Sequence, residues 1–254
     1  MNRLFIVASV LVFTLSAQRA GAKMREFTSA DGRSLQAEIV SFNGTLGKVK
    51  LKLADGRIKT VKPAIFVEAD RKYIKEWAAL DGFRNPSFFK ISCRKDQVEK
   101  WKEDLVASVY TVGDRSNSQK DVVGEMKFEK YAYKLVLENR NAVPLENIGI
   151  EYCIFSKQKG KGRWFDAPEW FETEKKGSLT IVKLPAKSKK NITTDTTVIG
   201  KQEILGDFVQ SYEKVEVEME GIWVRITLKT PGGQTATRTV FDPENLKGKH
   251  AWPE

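Results

Sequence analysis

A chain of 254 residues that carries a single histidine has few ways to run acid–base or nucleophilic chemistry. His250 lies near the C-terminus beside Trp252 and Pro253. Any Ser–His–acid or Cys–His arrangement would have to use it, and a terminal segment is a poor platform for rigid catalysis. Zinc needs clustered His and Cys ligands, which the pattern lacks, and no Gly-rich phosphate loop of the required spacing is present. Acidic pairs such as Glu169/Glu172 or Glu216/Glu218 match the residue types of glycoside hydrolysis. Glu216, Glu218 and Glu220, however, alternate with Val215, Val217 and Met219, which reads as the solvated face of a strand. No catalytic residue, metal or cofactor is expected.

Aromatic and basic residues are the better binding candidates. Lys161 and Arg163 run into Trp164, and Trp170 follows, so a basic loop with several aromatics could stack on sugar rings or dock a peptide. The plainer reading folds those aromatics back onto the protein. Trp223 is sharper. Ile222, Val224, Ile226 and Leu228 alternate as one strand face, leaving Trp223 and Arg225 on the other. An indole left wet forgoes about 1.5–3 kcal/mol of burial, so Trp223 is expected to mark a contact surface, for the N-terminal part of the chain or for an external ligand.

The elements that must position these residues follow from the chain in order. Residues 1–22 place Arg3 before the apolar run Leu4–Leu15 and the small residues Ala20-Gly21-Ala22, the layout of a cleaved export signal. The expected location is therefore periplasmic or secreted, with no transmembrane segment after signal removal. Loss of Arg3 and Arg19 takes the net charge from +10 to +8. Residues 23–80 hold 12 basic and 7 acidic residues, so the excess is concentrated there. Lys48, Lys50, Lys52, Arg57 and Lys59 form a candidate basic patch, or simply solvate a strand and blunt its edge. Export argues against a nucleic-acid partner.

Within Arg25–Trp77, Asp31-Gly32 and Asp55-Gly56 are hairpin-type dipeptides. Leu35, Ala37 and Ile39 alternate with polar neighbours, as do Val49, Leu51 and Leu53 with lysines, and Ala69–Trp77 shows helical spacing. Arg25, Phe27, Gly32, Ala37, Glu38, Gly47, Lys48, Val49, Leu51, Asp55, Gly56, Asp70 and Tyr73 meet the pattern of a small SH3-like barrel. This stretch resembles homology domain one of a yeast actin-patch adaptor, a module also found in exported bacterial proteins. It departs from that pattern at Phe27, where Trp is usual, and at Phe66-Val67, where Leu-Ser is usual. The resemblance implies a closed small barrel, and eukaryotic members bind short peptides.

Asp81-Gly82 and Pro86 mark a linker over residues 81–87. From Phe88 the chain reads as strands: Phe88–Arg94, Asp104–Val112, Tyr131–Asn139, Ile148–Ser156, Ser178–Leu184, Asn191–Val198, Lys214–Glu220 with Ile222–Thr230, and Thr235–Phe241. Gln97–Glu103 hints at a helical turn. The expected fold is all-β, an SH3-like barrel over 23–80 followed by an immunoglobulin-like β-sandwich over 88–254. Gly221–Arg225 also resembles the uncharacterised sandwich that accompanies the barrel in other exported bacterial proteins. An exported pair of cysteines would ordinarily bridge, but alternation points Cys93 inward and Cys153 outward, so Cys153 is expected exposed and unpaired.

These features favour an exported, non-catalytic binding or structural protein of the cell envelope that recognises a peptide, protein or glycan. The alternative is a secreted enzyme, or enzyme accessory, acting on an acidic polysaccharide. A pocket of convergent carboxylates would favour the alternative, and an open groove lined by Trp and Lys the first reading.

Overall fold

The computed structural model describes residues 23–111, 114–159, 170–204 and 216–252. The export signal expected over 1–22 lies outside them. The fold is all-β apart from one long helix and short 3-10 turns, and no helix among the described residues is long and apolar enough to cross a membrane. The chain divides into two compact units between Arg71 and Lys72.

The first unit is a four-stranded antiparallel sheet, β1 (Arg25–Thr28), β2 (Ser34–Asn43), β3 (Lys48–Leu53) and β4 (Ile58–Val61), paired in chain order. Gly32 and Gly56 take positive φ at the two Asp-Gly turns, a backbone that a side chain would strain. The alternating residues Ala37, Ile39, Val49 and Leu51 are buried, while Lys50 and Lys52 face water. Phe27 and Phe66, the two aromatic departures from the barrel pattern, pack on each other with ring centroids 5.5 Å apart. The expected closed barrel is not formed. β4 is only four residues long, and the chain leaves it through a 3-10 turn at Pro63–Ile65, so β1 and β4 pair only with their sequence neighbours. A single bridge, Ser29 with Phe66, returns the chain to the end of β1. Asp70 then accepts hydrogen bonds from Arg25 (2.9 Å) and from the Thr28 backbone N–H (2.7 Å), which satisfies a carboxylate that is almost fully buried.

The helix α1 spans Glu68–Arg84, so the residues expected to open a linker at 81 are helical, and the unit boundary falls earlier, inside the helix. Two features explain the extension. Leu80 and Phe83 continue the apolar spacing and are buried in the core of the second unit. Gly82, which reads as a turn residue, is a close-approach residue instead. A Cβ there would lie 1.9 Å from Asn141 Nδ2, and that amide donates to the Ala78 carbonyl at 3.0 Å.

The second unit carries two antiparallel sheets around one core. The first sheet has the order β10 (Thr197–Ile204), β6 (Asp114–Asn139), β5 (Phe89–Thr111), with β9 (Ser188–Thr193) also paired to β6. The second has the order β12 (Thr235–Asp242), β11 (Val217–Lys229), β7 (Leu145–Lys159), β8 (Trp170–Leu184). Phe89, Tyr133, Leu135 and Leu137 from the first sheet share a core with Ile148, Ile150, Ile154, Ile222, Val224 and Ile226 from the second. Each such side chain contributes about 1.5–3 kcal/mol of burial. Arg238 ties the helix to this core by donating to the carbonyls of Phe83 (3.2 Å) and Phe89. Burial lowers its pKa from the usual guanidinium value.

Two strand expectations change. Gln97–Glu103 is strand, not helical turn, because β5 stays paired with β6 across this stretch, its side chains meeting cross-strand partners on both faces. Trp101 stacks on Phe128 at 5.1 Å. On the opposite face Lys100 meets Glu129 (3.3 Å) and Lys102 meets Glu125 (3.0 Å), exposed pairs worth about 0–1 kcal/mol each. Asn191–Val198 is two strands rather than one. The chain breaks pairing at Thr194, whose hydroxyl accepts the Tyr133 backbone N–H at 2.9 Å.

In a free helix Gly82→Ala would stabilise by about 1 kcal/mol. Here the crowding against Asn141 is expected to dominate and destabilise the protein by roughly 1–3 kcal/mol. Urea unfolding of the variant decides between the two effects, a gain in midpoint contradicting the packing.

Candidate functional site

The outer face of the second sheet is built on β11. Core-facing alternation holds as expected, with Ile222, Val224, Ile226 and Leu228 all buried, so Trp223, Arg225 and Thr227 point to the outside. Before this run, β11 makes a bulge between Met219 and Gly221. A Cβ at Gly221 would sit 2.4 Å from the Asp242 carbonyl oxygen, so β11 and β12 can pair this closely only without a side chain there.

Trp223 stands opposite Cys153 of β7 and is covered by the chain's own C-terminal segment. After β12 a 3-10 turn, Glu244–Leu246, drops Leu246 into an outer cluster with Cys153, Phe155, Trp223 and Phe241. His250 stacks on Phe155 at 4.1 Å, and its Nε2 lies 3.2 Å from a Glu220 carboxylate oxygen. Lys157 meets the same carboxylate at 2.8 Å. Trp252 presents its ring edge-on to Trp223 at 5.1 Å. Residues 244–252 thus form a strap over Trp223, a cover from within the same unit that alternation did not suggest. The Trp223 Nε1 is buried beneath it with no acceptor among the described residues.

Beside the strap runs an open groove of about 690 Å³, lined by Glu151, Lys176, Ser178, Arg225 and Trp252. Arg225 is fixed from two sides. Its Nε donates to Glu151 at 2.8 Å, and its guanidinium carbon lies 4.1 Å from the centre of the Trp252 ring, a cation–π contact worth about 0.5–1 kcal/mol at an exposed site. Tyr152 also borders the groove, but its ring turns inward over Gly177, where a Cβ would come within 2.2 Å of it. Its hydroxyl donates to the Asp195 carboxylate (2.9 Å) and accepts the Asp195 backbone N–H (3.0 Å). Burial is the main cause that raises the phenol above its usual pKa.

The remaining site residues are placed as follows. Lys161, Arg163 and Trp164 lie outside the described residues, and of Trp170 only the backbone, at the start of β8, is described. The basic residues of the first unit do not share one surface. Lys48, Lys50 and Lys52 lie on one face of β3, Lys59 stands opposite Leu51 on the other, and Arg57 is bound to Asp55 across its own turn. Glu220, read as solvated, is mostly covered by His250 and Lys157. Trp252 and Glu151 were not singled out by sequence. The signal for Trp252 was present in the spacing of Leu246, His250 and Trp252, an apolar series too short to reveal its target.

The cysteines are unbridged. As alternation requires, Cys93 packs against the inner core and Cys153 into the outer cluster. Cys153 is nevertheless fully buried, contrary to the expected exposure, because the strap closes over the outer face. Burial pushes the Cys93 thiol up to about 12, with Asp242 adding to the effect, and the Cys153 thiol up to about 11. Neither is a nucleophile near neutral pH.

No family model and no curated protein matches the chain.

A thiol-reactive probe should leave Cys153 unmodified in the native protein at neutral pH. Leu246→Ala removes the strap's anchor at a cost of about 2–5 kcal/mol and should make Cys153 the faster-labelling thiol. Peptide mapping of the modified protein reads the outcome, and equal labelling of wild type and variant would show that the strap does not guard the thiol.

Proposed function

We propose that this is an exported, non-catalytic binding protein of the cell envelope, and that the groove beside the strap receives a peptide or glycan segment of its partner. The carrying observation is the groove's chemistry: it is open, and it presents Trp252, Lys176 and Arg225 with one carboxylate, Glu151, already engaged by Arg225. An aromatic ring flanked by fixed hydrogen-bond donors suits a sugar ring or a planar peptide side chain. Among the described residues one carboxylate, Glu151, lines the groove, whereas hydrolysis of a glycosidic bond uses two. The resemblance of residues 25–77 to a peptide-binding module and the export signal read from residues 1–22 support the same assignment. The SH3-like and immunoglobulin-like descriptions of the two units belong to this proposal.

The test is a screen of the mature chain, residues 23–254, against immobilised glycans and peptides. Binding is expected to quench or shift indole fluorescence. Arg225→Ala should weaken it by about tenfold or more, as loss of a 1.4 kcal/mol contact implies. Ligand binding that is indifferent to both Arg225→Ala and Trp252→Ala would remove the groove from the assignment. Turnover of an acidic polysaccharide by the purified chain would favour the enzymatic alternative.

A further inference from the structure

A second pocket, of about 460 Å³, opens within the second unit beside Arg238, where β12 passes the start of β5. Arg238 stands opposite Ile226, a buried core residue, so its side chain leaves the inner face of an edge strand. Its guanidinium carbon lies 5.7 Å from the centre of the buried Phe89 ring. Nη1 makes both contacts described above, to the carbonyls of Phe83 and Phe89. That leaves Nε and Nη2, two donors that lie side by side as a fork. Neither has a partner among the described residues, and neither is sealed from solvent. An inward charge discourages pairing at a sheet edge, which accounts for a cation at this position but leaves the fork unengaged.

The charge around the fork is unbalanced. A half-buried cation is ordinarily paired, yet Arg238 has no ion-pair partner among the described residues. Burial is the one influence on its pKa and lowers it, whereas a carboxylate alongside would raise it. Glu138 is the carboxylate that lines the pocket, and it is engaged twice, by Arg140 at 3.0 Å and by Lys189 at 3.5 Å. Asp242, further along β12, acts on Cys93 and Tyr133 instead. Lys90 and Ser92 are exposed at the pocket, and neither side chain has a partner among the described residues. Lys90, Arg140, Lys189 and Arg238 thus surround the one lining carboxylate, an excess of positive charge that an anion would answer.

We infer that this pocket binds a phosphate monoester. The phosphoryl oxygens take up three separate donors, the Arg238 fork, the Ser92 hydroxyl and the Lys90 ammonium. The organic part rests on Pro86, Ile91 and Val136, the apolar lining of the same pocket. A carboxylate, with two oxygens and a single charge, satisfies fewer of these donors. The site is separate from the groove at Arg225, and neither depends on the other.

The experiment is an NMR titration of the isotopically labelled mature chain at constant ionic strength and about pH 7.5, where a phosphate monoester is mostly the dianion. Phenyl phosphate carries both body and charge, inorganic phosphate the charge alone, and benzoate the body with a carboxylate. Phenyl phosphate should shift the backbone amides of residues 88–92 and 237–239 saturably, with a dissociation constant on the order of 1 mM. Inorganic phosphate should move the same amides at about tenfold weaker affinity, and benzoate should give no saturable shifts there. The double change Lys90→Gln and Ser92→Ala, on exposed positions that should not disturb folding, should weaken phenyl phosphate binding about tenfold. Arg238→Lys keeps the charge without the fork and should abolish it, while Arg225→Ala should leave it unchanged. Absence of saturable shifts at these amides, benzoate or inorganic phosphate binding as tightly as phenyl phosphate, or full binding in the Lys90/Ser92 variant would each overturn the assignment.

Discussion

A strand that is apolar on both sides must be covered twice, and β11 imposes that requirement on the second unit. Its inner residues, Ile222, Val224, Ile226 and Leu228, close against the first sheet and α1. Its outer residue Trp223, with Cys153, Phe155 and Phe241 beside it, needs a second cover. The strap answers that need. Because it is narrow, it leaves the neighbouring part of the same face open as a groove. The position of Arg225 follows: one residue pair along from the covered tryptophan, it meets Glu151 across the sheet and Trp252 of the strap. Binding chemistry and fold stability are thus served by adjacent residues of one strand.

The alternation rule carried most of what could be read in advance. It assigned the faces of β2, β3 and β11 and separated the two thiols, because side-chain direction along a strand is a local property. It could not say what lies above an outward residue, since that depends on the path of a distant segment. Cys153 and Glu220 were therefore placed on the correct face but wrongly wetted: both sit under a strap that begins more than twenty residues after the end of β11's bulge. Likewise Trp223 was legible as covered, and its cover was not.

Local turn signals failed for a related reason. Asp81-Gly82 has the composition of a turn, yet Gly82 serves the close packing of Asn141 on a helix. Glycine reports that space or backbone freedom is needed, and only the tertiary neighbour says which. Gln97–Glu103, rich in charge, was read as a helical turn because its partner strand is needed to show that Trp101 has Phe128 opposite and that Lys100 and Lys102 form ion pairs with glutamates of β6. The failed barrel closure is of the same kind. Alternation along β1 to β4 is unchanged whether the sheet closes or stays open, so the sequence pattern carries no information about the final edge.

The order of the covering elements along the chain also sets an order in time. Cys153, Phe155 and Trp223 are all synthesised before Leu246, His250 and Trp252 exist. Between Trp223 and Leu246, synthesis at roughly 5–20 residues per second takes about one to five seconds. Until Leu246 is in place the outer face of the second sheet has no strap to cover it. A chain interrupted ahead of Leu246 keeps it bare, with an indole, a phenyl ring and a thiol on display. A chain shortened ahead of the strap presents the kind of apolar surface by which chaperones and proteases recognise unfinished proteins.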